Sequence, residues 1–234
     1  MQPMENFSLN PETLRLILTK AKPLGHHQEP KNLNLGFGFL YYGLIRALRP
    51  KHILVIGSGF GFSVVCLALG AKDNAMGRVT FVDPSFSLWQ NGPFKTIGGN
   101  NKWKDPEKVK AHFARLGVAE LVTHYKLTSA EFFELYQTFG LPKIDLAFID
   151  GSHAFKDVKF DFMSVLKRSS KNTYILLHDT NIYIREAIRH AGVKRWLKHL
   201  SHYSHLFEQV NFPFSSGVAL VRVLQDEAWN QLSG

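Results

Sequence analysis

The sequence predicts an α/β fold, a doubly wound and mainly parallel sheet that ends in an antiparallel strand pair. Three observations predict it. From residue 53 onward, apolar runs of strand length alternate with segments of helical length. The first run, Ile53 to Ile56, empties into a turn rich in glycine, Gly57-Ser58-Gly59-Phe60-Gly61. The last two runs, Phe207 to Asn211 and Gly217 to Val223, are joined by Phe-Pro-Phe-Ser-Ser, close enough for an antiparallel hairpin.

The elements follow in order. Asn10 caps a short helix with Pro11 in its first turn. Pro23 to Asn34 is polar and rich in breakers, so it reads as a loop with His26 and His27 exposed. Phe39 to Leu48 is an apolar helix closed by Arg49-Pro50. After the glycine turn, Val64 to Leu69 starts the next helix. The remaining strands are Val79 to Val82, Leu121 to Tyr125, Ile144 to Ile149 and Tyr174 to Leu177. The remaining helices are Glu107 to Leu116, Ala130 to Phe139, Phe155 to Leu166 and Tyr183 to His190. Residues 1–34 form an N-terminal arm and loop, and residues 35–234 the main domain. Pro84 to Asp105 lies outside this alternation. It carries Trp89 and Trp103 among Gly-Pro and Gly-Gly breakers, and reads as an ordered lid or substrate loop.

Composition narrows the class. At 234 residues with 45% hydrophobic content the chain supports one full core. Met1 to Asn10 has no basic start followed by an apolar stretch, so no secretory leader is expected. The most apolar windows are interrupted by glycines or by Arg46 and Arg49, so no membrane span is expected either. The single cysteine, Cys66, allows no internal disulfide and no cysteine zinc cluster; it reads as core, and the expected location is cytoplasmic. The net charge of +9 is concentrated late, at Arg185, Arg189, Lys194, Arg195 and Lys198. Those residues form a solvated helix face or a patch for an anionic partner.

The glycine turn decides which ligand the first crevice takes. Its spacing is G-x-G-x-G, with Phe62 where a dinucleotide site places its last glycine, and no Gly-Lys-Ser/Thr follows. Gly59 and Gly61 lack the β-carbons that would hold a ligand off the backbone. Asp83 ends the second strand, roughly 20 residues past the turn, where a carboxylate can accept both ribose hydroxyls. A turn and an acid without a pyrophosphate cradle fit S-adenosylmethionine. A nicotinamide-dependent oxidoreductase is the alternative that the spacing disfavours.

Two further strand ends carry charge. Asp150 stands in Ile-Asp-Gly-Ser-His153, and Asp179 in Leu-His178-Asp179-Thr180-Asn181. In an open α/β sheet these ends face one crevice.

On these residues the chain resembles the class I S-adenosylmethionine-dependent methyltransferases, with a Rossmann-like sheet. It is most similar to the catechol and caffeoyl-coenzyme A O-methyltransferases and to the macrocin-type sugar methyltransferases. The resemblance runs from about Gly36 to Val223. It implies that Gly57, Ser58, Gly59 and Gly61 lie under the methionine part of the cofactor and that Ser63 binds its carboxylate. Asp83 then holds the ribose, Ser129 lies by the adenine, and Asp150 belongs to the same cofactor site. It also implies Mg²⁺ on Asp150 and Asp179, although Thr180 replaces the family's asparagine; the Thr180 hydroxyl or Asn181 is the expected substitute. His153 stands where the catechol branch has a lysine that takes the substrate proton. Its unperturbed pKa near 6.5 suits a general base. The implied acceptor is an oxygen of a small molecule, with an anionic one matched by the late basic residues. RNA ribose methylation is the alternative, with nucleic acid as the less favoured partner, and a homo-oligomer is left open. The sequence lacks both the Asn/Asp-Pro-Pro-aromatic motif of base-amino methylation and a suitably placed cysteine for carbon-5 methylation.

Overall fold

The computed structural model describes residues 7–86, 89–91, 94–96, 101–181 and 192–232, with 89–91 and 94–96 described by their backbone alone. Its centre is a seven-stranded sheet. The strands are β1 His52–Ile56, β2 Arg78–Val82, β5 Val122–Tyr125, β6 Leu146–Ile149, β7 Tyr174–His178, β8 Phe207–Phe212 and β9 Val218–Val223. A separate short antiparallel pair, β3 Trp89–Asn91 and β4 Phe94–Thr96, lies within the loop after β2. The sheet order is β5-β2-β1-β6-β7-β9-β8. The first five of these strands pair in parallel, and β9 inserts antiparallel between β7 and β8.

Helices cover both faces. They are α1 Pro11–Leu16, α2 Phe37–Leu48, α3 Phe62–Asp73, α4 Pro106–Arg115, α5 Ser129–Glu134, α6 Phe155–Leu166, α7 Val193–Leu200 and α8 Ala228–Leu232. All five residues of β1 are buried, as a central parallel strand requires. Its side chains alternate: Ile53 and Val55 join the core under α2, α3 and α4, and Leu54 and Ile56 join the core under α5, α6 and α7. Every residue from Phe62 to Ala71 of α3 is buried, because α3 is wedged between the sheet and α2. Cys66 lies in that wedge fully buried, which pushes its thiol pKa well up and leaves it a core residue.

The expected elements that fall among the described residues appear in the expected order; β3, β4, α7 and α8 were not expected, and three further points differ. The helix after β5 was expected to reach Phe139 but ends at Glu134. Tyr136 is pulled into the core beyond it, where its hydroxyl donates to the Pro142 carbonyl at 2.6 Å. The loop before α2 is not open to water at His26, which is 5% exposed. Trp103, expected in a lid, is 1% exposed and stacks on Phe113 of α4. The expected helix from Tyr183 to His190, with Arg185 and Arg189, lies outside the described residues.

Candidate active site

The glycine turn and the acidic strand ends meet at the carboxyl edge of the sheet. Gly57 takes φ 67°, and a β-carbon there would come within 2.5 Å of the Asp150 backbone oxygen. The Gly57 N–H donates to the Val82 carbonyl at 2.9 Å, and the Asp150 N–H to the Ile56 carbonyl at 2.8 Å. The turn after β1 therefore touches both neighbouring strands at once. Gly59, at φ 46°, has nothing within 4 Å of its missing β-carbon, so this stretch of backbone borders open space.

Gly61 has a different reason to be glycine from the one expected. A β-carbon there would meet the Trp103 ring at 2.9 Å. The Trp103 indole N–H donates to the Gly59 carbonyl at 3.1 Å, and Lys102 donates to the Phe60 carbonyl at 3.3 Å. The missing β-carbon thus admits a tryptophan that braces the turn, where the sequence suggested room for a ligand.

Asp83 is buried at the end of β2. Its carboxylate accepts from the Ser85 N–H at 2.7 Å, and the nearby Ser58 N–H also favours its charged form. Burial pushes its pKa up to about 6. Ser58 and Ser63 share a hydroxyl–hydroxyl bond of 2.6 Å, and both are buried. Ser129 opens α5 behind the Thr128 capping box, and its side chain lies near enough to Asp161 of α6 to favour the charged form of that carboxyl. That carboxyl is buried and lies 3.5 Å from where a β-carbon on Gly151 would stand, so Ser129 reaches the turn after Asp150 through Asp161.

The second half of the crevice is ionic. Asp179 follows β7 in the left-handed region at φ 60°, a conformation that a short polar side chain tolerates. Its carboxylate lies 2.9 Å from His153 Nδ1 and 3.2 Å from His178 Nδ1. Asp150 lies 3.1 Å from His178 Nδ1 and 3.5 Å from His153 Nε2. Burial opposes charge on both rings, yet the two carboxylates outweigh it. The pKa of His153 is pushed up to about 9, and that of His178 is also raised. Burial would raise the pKa of Asp150 and Asp179 as well, but the imidazoles hold both carboxyls below their ordinary range. The carboxylates favour the protonated form of both imidazoles, and the imidazoles favour the ionised form of both carboxylates, in a pocket that water scarcely reaches.

Two residues that the sequence reading missed complete this half. His26 packs against His178 with the rings tilted by 33° and their centroids 4.3 Å apart, and its Nδ1 bonds the Tyr41 hydroxyl at 3.0 Å. Burial and then the neighbouring His178 push the His26 pKa down to about 3, so it is the neutral member of the group. The loop carrying His26 is held in place by the Phe37 N–H, which donates to the His26 carbonyl at 2.8 Å.

The donor set fits a divalent cation. Asp150, His153 and Asp179 each offer one ligand atom, all within 4.8 Å of one another. Carboxylates suit Mg²⁺ or Mn²⁺, and the imidazole extends the range to softer ions such as Fe²⁺ and Zn²⁺. Neither expected substitute for the missing asparagine joins the set. The Thr180 hydroxyl donates to Asn211 Oδ1 at 2.9 Å, and Asn181 donates to the Pro213 carbonyl at 3.2 Å. The third donor is His153.

Comparison with known proteins agrees with the fold. Residues 54–180 match the family described as a methyltransferase domain, more than half of the chain, and the chain belongs to that family. The fold is similar to that of an O-methyltransferase from Bacillus cereus in complex with SAH, with a TM-score of 0.64 and 17% identity over 92% of this chain and 91% of that one. It is also similar to TomG of Streptomyces achromogenes, an O-methyltransferase involved in tomaymycin synthesis and seen with SAM. There the TM-score is 0.62, with 19% identity over 94% of this chain and 91% of that one. Uncharacterized protein y4gI of Sinorhizobium fredii is 24% identical over 196 residues, which make up 84% of this chain and 20% of that protein. The chain thus spans about a fifth of the length of that curated relative. Among the described residues, no helix is long and apolar enough to cross a membrane.

Proposed function

We propose that the protein transfers a methyl group from S-adenosylmethionine to an oxygen of a small molecule. One observation carries the reading: the missing β-carbon of Gly57 lets the glycine turn sit directly against the backbone of Asp150. Cofactor turn and ionic cluster then border one crevice, with methyl donor and acceptor side by side. Family membership and the shared O-methyltransferase fold support it, and they weigh against a nicotinamide-dependent oxidoreductase.

In this reading Gly57, Ser58, Gly59, Gly61 and Ser63 cradle the methionine part, Asp83 takes the ribose hydroxyls, and Ser129 stands toward the adenine. The sulfonium methyl is already activated, so the protein's task is to align the acceptor oxygen and remove its proton. His153 is the proposed base, positioned by Asp150 and Asp179. A cation held by Asp150 and Asp179 would supply a positive charge that stabilises the acceptor as an oxyanion and would leave the His153 lone pair to the proton. Residues 84–105, of which 87–88, 92–93 and 97–100 lie outside the described residues, are the proposed lid, with Trp103 anchoring its end against α4.

Calorimetry with S-adenosylhomocysteine tests the reading. Wild-type protein is expected to bind one equivalent, and Asp83→Ala to lose about 1.5–3 kcal/mol, the range for a hydrogen bond to a charged group. Affinity should also fall as pH drops through about 6, where Asp83 takes up a proton. A folded Asp83→Ala variant with unchanged affinity would remove that residue from the site. Absence of binding to wild-type protein would remove the function.

A further inference from the structure

We propose that the cavity beside α7 is the acceptor's anion subsite, so that the methylated molecule carries a carboxylate or phosphate on an apolar body. The inference rests on the methyltransferase reading above and names the substrate class for it.

The cavity holds about 570 Å³ and opens between α7 and the β8–β9 hairpin. Thr180 and Asn181 line it, and Thr180 directly follows Asp179, so its wall begins one residue along the chain from the ionic cluster. Its other wall is cationic. The α7 sequence Val-Lys-Arg-Trp-Leu-Lys-His-Leu contains no acid, and buried Val193, Trp196 and Leu200 turn Lys194, Arg195 and Lys198 outward to the cavity. Among the described residues no carboxylate lines the cavity; the nearby Glu208 of β8 is engaged by Arg222 at 3.1 Å.

A solvated cationic helix face would account for the charges but not for their surroundings. Val210 of β8 is 53% exposed and faces this cavity, an apolar side chain left uncovered next to three cations. Apolar wall and cationic rim together fit a ligand with an apolar body and one anionic end.

The subsite is joined to the reacting centre. The Gly192 N–H, just before α7, donates to the carbonyl of His153. The Arg195 guanidinium lies 4.7 Å from the centre of the Phe155 ring, two residues after His153. Gln209 ties the far end of α7 to β8, its amide donating to the Leu197 carbonyl at 3.2 Å and accepting from the Ser201 N–H at 3.1 Å. The cationic helix is therefore pinned to the backbone that carries the proposed base, and an anion held there fixes the acceptor relative to His153.

Three probes of similar shape test this by titration into the full chain, with and without S-adenosylhomocysteine: phenyl phosphate, benzoate and neutral benzamide. The first two are expected to bind one to one and benzamide at least about tenfold more weakly. The double variant Arg195→Ala/Lys198→Ala should lose about tenfold or more for the anions, as charge-assisted hydrogen bonds require. Its affinity for benzamide and S-adenosylhomocysteine should stay put. Benzamide binding as well as benzoate would overturn the proposal, as would anion affinity that survives the double variant. A single-stranded RNA oligomer that binds more tightly than phenyl phosphate, and loses that binding in the variant, would overturn it in favour of nucleic acid. Wild-type protein that takes the anions but not S-adenosylhomocysteine would sink the methyltransferase reading, and with it the assignment of this cavity to an acceptor.

Discussion

The two sides of the crevice are built by different physics. On the β1–β2 side, shape dominates: glycines pack against backbone and tryptophan, and the one acid, Asp83, is held by an N–H group of its own turn, with another from the glycine turn nearby. On the β6–β7 side, charge dominates: Asp150, His153, His178 and Asp179 lie within ion-pair distance of one another, with His26 beneath. At Gly57 and Gly61 the first side tolerates almost no added volume, because backbone and the Trp103 ring pack against them. The second side tolerates volume better than it tolerates the loss of one partner, which would strand a buried charge. A transfer enzyme gains from this division, since the cofactor needs a rigid seat and the acceptor needs a site that can shift protons.

The largest effect is expected on the charged side. His153→Ala should lower kcat by roughly 10²–10⁴ with any acceptor that turns over, the usual contribution of a positioned acid–base group. S-adenosylhomocysteine affinity should hardly change. The pH profile sharpens the point. With a pKa raised to about 9 by the two carboxylates, the ring keeps its proton at neutral pH and can accept one only above that. The rate should then climb with pH toward about 9 and level off. Supplying Mg²⁺ or Mn²⁺ should move that rise to lower pH, because a cation on Asp150 and Asp179 competes with the imidazolium for them. A variant that keeps its rate and its profile would make His153 a structural residue.

Next in size is a change on the shape side. Trp103→Ala should destabilise the fold by about 3–5 kcal/mol, the cost of emptying a buried aromatic site, and urea unfolding reads this directly. It should also weaken S-adenosylhomocysteine binding, since the indole N–H holds the Gly59 carbonyl. Wild-type stability in this variant would show that the loop after β2 does not brace the turn.

A pair of glycines then separates fold from ligand. Gly57→Ala combines a left-handed residue, at about 1–2 kcal/mol, with overpacking against Asp150, at about 1–3 kcal/mol. Gly59→Ala meets nothing within 4 Å and should lose only the conformational part, while binding S-adenosylhomocysteine less well. If the two variants unfold alike, the contact between turn and Asp150 is not the constraint described above.

What the sequence made legible follows the same division. Gly57, Asp83, Asp150 and Asp179 are each marked by a local signal, a residue placed at the end of an apolar strand, and the sheet order brings such ends together. His26 carried no such signal. It sits in a polar loop rich in breakers, and its partners Tyr41, Phe62 and His178 come from separate elements, so composition pointed to exposure while tertiary packing buried it. Trp103 was read as part of a lid because its neighbours are glycine-rich; its partner Phe113 belongs to the next helix. The departure at Thr180 was equally silent, because the third atom of the group that could hold a cation comes from His153, in the loop after another strand.

The smallest expected effect tests a residue that straddles the two sides. Asp161 of α6 is 2% exposed, one of its carboxyl oxygens has no hydrogen-bond partner among the described residues, and Ser129 lies near the side chain. Burial, set against the nearby Ser129 side chain and added to by Asp157, pushes its pKa up to about 7. An acid whose folded pKa lies above its unfolded one removes stability as pH rises. Below about pH 4 both states hold the proton and the group contributes nothing. Between about pH 4 and 7 the unfolded chain releases it while the folded chain does not, so stability falls by at most about 1.4 kcal/mol per pH unit. Above that the two states are equally charged and the loss is constant. Asp161→Asn keeps the shape and removes the titration, so its urea midpoint should change less between pH 5 and pH 8 than that of the wild type. The variant should gain relative to wild type at the upper end of that range. If both proteins show the same pH slope, the carboxyl is already ionised in the fold, and the link from Ser129 to the turn after Asp150 is a charged contact.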